Sequence, residues 1–146
     1  MSEKADVVRR LFRAVEERDL EAVLDCYDER VEIHEAEALP YGGVYRGHDG
    51  AVEHATAWAQ AWGPLQTPEE YRLDPIILES EGDTLGVLFR HRAVDRERGT
   101  RLDRPEVGIY ETRGGKIVRS QMFHDDSAAV ARFLEDASWA PSETNR

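Results

Sequence analysis

The sequence predicts an α+β domain in which helices cover one face of a curved antiparallel sheet. Three observations predict it. The first part of the chain carries apolar residues at helical spacing, while the second half alternates with period two between glycine-marked turns. A length of 146 residues suits one domain, which buries roughly 70% of the surface its unfolded chain exposes.

The elements follow in order. Val8, Leu11, Phe12 and Val15 fall at i, i+3, i+4 and i+7, the stripe of an amphipathic helix. Asp19 offers an N-cap, and Leu20, Val23, Leu24 and Tyr27 repeat the stripe in a second helix. Val31 to Glu35 switches to period two and reads as a short strand. Residues 36–47, with Pro40, three glycines, Tyr41 and Tyr45, read as a long connection, the kind of segment that carries function. From Asp49 to Trp62 the pattern is helical again, with Ala51, Ala55, Trp58 and Trp62 on one face and Gly63-Pro64 as the stop. Residues 69–79 read as a strand that Pro75 confines to an edge or a bulge. Gly82-Asp83 turns the chain into a strand from Leu85 to Val94, and residues 95–101 form a charged hairpin loop. Two more strands, 104–112 and 116–124, flank Gly114-Gly115. Asp126-Ser127 then caps a short last helix that turns Val130, Phe133 and Leu134 inward. The order is α-α-β-α-β-β-β-β with a short C-terminal helix. Residues 3–137 make up the domain, and residues 138–146 form a flexible tail. Hairpin connections make the sheet antiparallel, and strands of this length curl around the helices to leave a hollow.

Composition narrows the function. A formal net charge of −11 argues against nucleic acid and against anionic membrane surfaces. No apolar run approaches the roughly 18 residues a membrane helix needs. The start of the chain carries no apolar signal region, so the expected compartment is the cytoplasm. The single Cys26 lies in an amphipathic helix and reads as a packing residue. Arg90, Arg92, Arg96, Arg98, Arg101 and Arg104 alternate along two strands and their hairpin, as on a solvated outer sheet face. No P-loop and no dinucleotide fingerprint is present, so no cofactor is expected.

Three spaced segments carry a family resemblance: Arg18 to Leu24 running into Tyr27 and Val31-Glu32-Ile33, then Tyr45 to Gly50, then Gly115-Lys116-Ile117-Val118. With the element order, they make the chain resemble the SnoaL-like branch of the NTF2-like superfamily, which includes ketosteroid isomerase, over residues 5–135. The resemblance implies a cystatin-like cone with a pocket at its open end and a homodimer paired through the sheet. It implies no single reaction, because the fold hosts isomerases, cyclases, dehydratases, hydrolases and binding modules.

Glu35 leads the candidate residues. Val31, Ile33 and Glu35 share one strand face, so a carboxylate ends an apolar stripe. A carboxylate held in an apolar hollow is a better base near neutral pH. The resemblance places Glu35 at the catalytic aspartate of ketosteroid isomerase. That enzyme's oxyanion tyrosine falls at Leu11, and its buried protonated aspartate falls near Gly108, so its electrophilic side does not carry over. Leu85, Val87, Phe89 and His91 alternate on one face, which points His91 inward. Val118, Ser120, Met122 and His124 share a face assigned to the pocket, although the opposite face, Ile117 to Phe123, is no less apolar and leaves the phase open. Glu35, His91 and His124 would form a proton-transfer set. Tyr27, Tyr41, Tyr45, Trp58, Trp62, Phe89 and Tyr110 are the candidate pocket-lining aromatics, with Ser120 and Met122 beside them, and Tyr41 and Tyr45 sit where a lid would lie. The resemblance to SnoaL-type cyclases offers Asp125 as an acid/base, and the other reading is an N-cap role for one of Asp125 and Asp126. Neither His34-Glu35 with Glu37 and His48 nor His124-Asp125 has metal-ligand spacing, so no metal is expected.

Two function classes fit. One is a cofactor-independent isomerase, cyclase or dehydratase acting on a small apolar carbonyl compound, with Glu35 as base. The other is a non-catalytic module of the same fold that binds a ligand or another protein.

Overall fold

The computed structural model describes residues 2–138. Ser2 caps the first helix, α1 (Glu3–Glu16), its hydroxyl accepting from the Ala5 amide. Asp19 caps α2 (Leu20–Cys26) in the same way through Ala22. Between them Arg18 takes a left-handed conformation with φ 57°, which turns the chain sharply. The stripe predicted for α1 is the buried one: Val8, Leu11 and Phe12 are almost fully enclosed. Each such side chain contributes about 1.5–3 kcal/mol on burial.

Six strands form one sheet in the order β2-β1-β6-β5-β4-β3. They are β1 (Tyr27–Glu35), β2 (Gly43–Arg46), β3 (Ile76–Glu79), β4 (Thr84–Asp95), β5 (Thr100–Arg113) and β6 (Lys116–His124). The helix α3 (Gly47–Trp62) lies between β2 and β3 in the chain, and α4 (Ser127–Ser138) ends the described residues. The sheet curves around α1, α2 and α3, as the NTF2-like and cystatin-like resemblance implies.

Several expectations need correction. The sheet is mixed, because β1 and β6 pair in parallel while the other neighbours are antiparallel. The connection 36–47 contains β2, whose alternation was hidden among turn residues. The strand expected over 69–79 is only Ile76–Glu79, because Thr67 and Glu70 form a capping box that winds Pro68–Glu70 into a 3₁₀ turn. The tail expected from residue 138 lies outside the described residues, apart from the end of α4 at Ser138.

The arginine-rich strands face outward as expected. Arg90 pairs with Asp103, Arg92 with Asp74, Arg96 with Glu70 and Arg104 with Asp125. Two apolar cores result. One joins α1 and β1 to β4, β5 and β6 through Val8, Phe12, Ile33 and Phe89. The other packs Trp62, Leu65, Ala93, Leu102, Val130 and Leu134 beneath α4.

Candidate active-site cavity

The first core opens into a cavity of about 610 Å³ between the helices and the sheet. Its walls include Leu11, Val23, Tyr27, Ile33, Trp58 and Phe89, and its charged or titratable side chains include Arg18, Glu35, His54, His91 and Glu106. Such a hollow, apolar over most of its surface with polar groups converging on it, has the make-up of a small-molecule site.

Glu35 stands in this wall at the end of β1, its face fixed by the buried Val31 and Ile33. Its side chain is only 5% exposed. One carboxylate oxygen, Oε2, lies 2.7 Å from His54 Nε2. The other, Oε1, is buried and has no hydrogen-bond partner. His54 comes from α3, and the sequence argues for its placement. A Cβ on Gly50 would approach the Tyr45 backbone to 3.0 Å, so only glycine lets α3 lie this close to β2. His54 follows one turn later on the same face and reaches Glu35.

Glu106, on β5, is the second carboxylate. It sits opposite Phe89 of β4 and His124 of β6, and it lines the cavity while remaining 7% exposed. Burial, reinforced by the Glu35 charge, pushes its carboxyl well above the usual range. Burial thus favours the protonated, neutral form of Glu106. His124 Nε2 is 3.7 Å from Glu106 Oε2, too far for a hydrogen bond, and is otherwise unpartnered. Burial lowers His124, with Glu35 and Asp125 acting in the opposite direction.

His91 is on the wall as well, fully enclosed between tryptophans: its ring lies 4.2 Å from Trp62 and 5.7 Å from Trp58, both edge-on. Burial first, then the charges of His124 and Arg18, depress it to about 3. It is neutral at physiological pH, so it serves as a hydrogen-bonding group and not as an acid there. Its Nε2 has no partner.

Tyr27, Trp58, Phe89, Tyr110, Ser120 and Met122 line the cavity. Tyr41, Tyr45 and Trp62, expected to line it, do not. Tyr41 is buried in the wall behind, where its hydroxyl accepts from Trp62 Nε1 at 2.9 Å and its carbonyl accepts from the Tyr45 hydroxyl at 2.9 Å. They form a polar clasp, and no lid. His124 is likewise outside the lining and stands behind the two lining carboxyl groups, Glu106 and Glu35.

The open phase of β6 is resolved by a bulge. The β5 partners pass from Glu111↔Arg119 to Thr112↔Ile117, so one residue of β6 is extra. Ile117 and Ser120 consequently both face the interior, although their spacing is odd. Gly108, the position at which the resemblance put a protonated aspartate, is occupied in space by its neighbours. A Cβ there would meet Tyr110 Cε2 at 2.7 Å and Met122 Cε at 2.9 Å. The carboxylic acid instead stands two residues earlier on the same face, at Glu106.

Sequence reasoning missed Glu106 and His54. The signals were present: His54 is three residues after Ala51 and four before Trp58, on the recognised stripe, and Glu106 shares parity with Gly108 and Tyr110. Glu35, Glu106 and His124 could each turn one ligand atom toward a metal, with those atoms within 4.8 Å of one another. Bonds of about 2.1 Å hold tetrahedral ligand atoms roughly 3.4 Å apart, and one pair here, His124 Nε2 and Glu106 Oε2 at 3.7 Å, lies near that spacing.

A curved sheet around helices, enclosing an apolar cavity that ends in a carboxyl pair, is the cone architecture of NTF2-like and cystatin-like folds. The SnoaL-like domain model matches residues 8–120, and the chain belongs to this family. An uncharacterised protein of Mycobacterium tuberculosis is 30% identical over 128 residues, covering 88% of this chain and 93% of its own. Among solved structures, TerC co-crystallised with polyporic acid superposes with a TM-score of 0.77 at 22% identity, over 92% of this chain and 99% of that one. A putative polyketide cyclase from Xanthomonas campestris gives 0.69 at 14% identity, over 92% and 96%. These likenesses show the fold.

Proposed function

We propose that the chain catalyses cofactor-independent proton transfer on a small, largely apolar carbonyl compound, in an isomerisation, cyclisation or dehydration. The observation that carries this reading is the pairing of Glu35 with Glu106: a carboxylate with one oxygen fixed by His54 and the other free, beside a carboxylic acid held neutral by burial. Glu35 Oε1 removes a proton from the carbon next to the carbonyl. The electron pair moves onto the carbonyl oxygen, and the Glu106 hydroxyl donates a hydrogen bond to the oxyanion that forms. In a β,γ-unsaturated substrate, returning the proton to the γ-carbon of the dienolate completes an isomerisation; in a β-hydroxy substrate, passing it to the hydroxyl, which leaves as water as the enolate collapses, completes a dehydration. Two solved neighbours support a pocket of this kind, one holding polyporic acid and one described as a putative polyketide cyclase.

The expected homodimer belongs to the same proposal. On the outer sheet face Leu78, Ile109 and Phe123 stand exposed, and Gly86 leaves space between Leu78 and Ile109. These positions would supply the apolar centre of a sheet-to-sheet contact.

The test follows hydrogen–deuterium exchange at the activated CH₂ of 2-tetralone in D₂O by proton NMR. The protein should accelerate exchange, and Glu35→Gln should reduce the acceleration at least about 100-fold, the scale of a lost general base. Unchanged exchange in Glu35→Gln would sink the catalytic reading. Absence of any acceleration, with 2-tetralone still bound, would favour the non-catalytic ligand-binding module.

A further inference from the structure

The cavity has a second charged end. Arg18 is, among the described residues, the one lysine or arginine in its lining. Its guanidinium is held from several sides. Nη1 donates to the Val15 carbonyl at 2.9 Å, and Nη2 donates to Gln66 Oε1 at 2.6 Å. The Tyr71 ring lies 3.8 Å from the guanidinium carbon, and the Trp58 ring lies 5.1 Å from it. Gln66 is 8% exposed and anchored in turn, its Nε2 donating to the Arg92 carbonyl of β4 at 2.7 Å. A buried amide thus spends both ends of its side chain tying the guanidinium to the sheet.

What this arginine lacks is an acid. The arginines of the outer face that pair with carboxylates include Arg90, Arg92, Arg96 and Arg104. Among the described residues no carboxylate lies within ion-pair distance of Arg18, in a chain with 30 acidic residues. The adjacent Asp19 is used as the cap of α2. The left-handed backbone at Arg18, an uncommon conformation for a residue other than glycine, turns the side chain back toward the cavity instead of away with the helix. A guanidinium has five donors, so N–H groups remain after the two hydrogen bonds above.

We infer that Arg18 is the receptor for an anionic group on the substrate, a carboxylate or a similar oxyanion, whose apolar body fills the cavity toward Glu35 and Glu106. The inference deepens the reading above, since it names the substrate class for the same cavity: an amphipathic molecule with a carbonyl at one end and an acid at the other. The Tyr71 and Trp58 rings border the guanidinium, and the donors left over from Val15, Gln66 and Tyr71 suit a planar oxyanion. Bulk electrostatics oppose the binding. A net charge of −11 repels anions, so a preference for an acid over its neutral isostere must come from a local cation.

The experiment compares 2-naphthylacetate with 2-naphthylacetamide, matched in shape and differing in charge, by calorimetry and by quenching of tryptophan fluorescence. The wild-type protein should bind the acid at least about tenfold more tightly at low salt, as one charge-assisted hydrogen bond at a partly solvated site provides. The preference should shrink at 0.5 M salt, where the screening length is about 4 Å. In Arg18→Met the acid should fall to the affinity of the amide, with the amide unchanged. In Glu35→Gln the preference should persist, which separates this inference from the catalytic one: loss of exchange with preserved acid preference strikes neither, and each can fail alone. Equal binding of the two probes by the wild type, failure of both to bind at millimolar concentration, or a preference surviving in Arg18→Met would overturn it. The wild-type comparison decides even if Arg18→Met does not fold.

Discussion

The two apolar cores on either side of α3 are built from the same kinds of residue and finished differently. Beneath α4, the Trp62 indole donates to the Tyr41 hydroxyl, and the Tyr41 carbonyl accepts from Tyr45, which itself packs against the first core. Beneath α1 and α2, the core stops short and leaves a cavity, and Glu35 Oε1, His91 Nε2 and His124 Nε2 are buried with no partner at all. A buried polar atom without a partner costs about 1–3 kcal/mol. Three of them near one cavity set this region apart from the closed core, whose polar atoms are paired.

Changes on either side should separate these roles. The largest effect is expected in the closed core, where Trp62→Ala should destabilise the fold by about 3–5 kcal/mol in urea denaturation. Trp62→Phe keeps a ring beside His91 and loses the hydrogen bond to Tyr41, so a loss of about 1 kcal/mol should remain. A small effect of Trp62→Ala would break the comparison.

On the open side the next largest effect is the response to acid. The folded value of His91, about 3, is depressed below the ordinary 6.5. Its stabilising contribution is therefore full above about pH 6.5 and is lost as pH falls toward 3, because the unfolded chain takes up the proton first. The stability difference between the wild type and His91→Asn should narrow by a few kcal/mol, in order of magnitude, between pH 7 and pH 4. A difference independent of pH would show that His91 is not held neutral.

Gly108→Ala comes third. The added methyl meets a tyrosine ring that cannot yield and a methionine that can. A loss of about 1–3 kcal/mol is expected, with weaker binding of 2-tetralone as Tyr110 and Met122 are pushed into the cavity.

The smallest effect has the opposite sign. Glu106 is raised above its unfolded value, so its contribution to stability is full at low pH and is lost as pH rises. Glu106→Gln should therefore stabilise the protein by about 1 kcal/mol at pH 8 and lose that advantage toward pH 4, while slowing exchange of 2-tetralone. An advantage that does not change with pH would remove Glu106 from the titrating pair.

The fold was legible because helical stripes and strand alternation are strong local signals, and Glu35 was legible for the same reason: it is the polar end of an apolar period-two run. Glu106 was not, because it follows Arg104 and Pro105 in a charged stretch that reads as an outer edge, and only the pairing of β5 with β4 and β6 turns it inward. His54 was masked by the charged Glu53 beside it. Ser120 was assigned inward, but its company there, Ile117, depends on the bulge, and a one-residue slip leaves no trace in the alternation. Tyr41 and Tyr45 illustrate the converse. An aromatic pair in a glycine-bearing connection reads as a lid, while its hydroxyl partners are set by tertiary packing.

The parallel pairing of β1 with β6 has a consequence for how the protein is made. Ile33 pairs with Ser120, so strand neighbours in the sheet lie most of the chain apart. On the ribosome, β1 and β2 can form their hairpin early, but the inner edge of β1 stays open until β6 has been synthesised. Closing so long a loop is slow compared with forming hairpins. Glu35 comes from the first strand, and Glu106 and His124 come from the last two. The two carboxyl groups, which repel when both are charged, are thus brought together only in the final docking step, when burial can already hold one of them neutral.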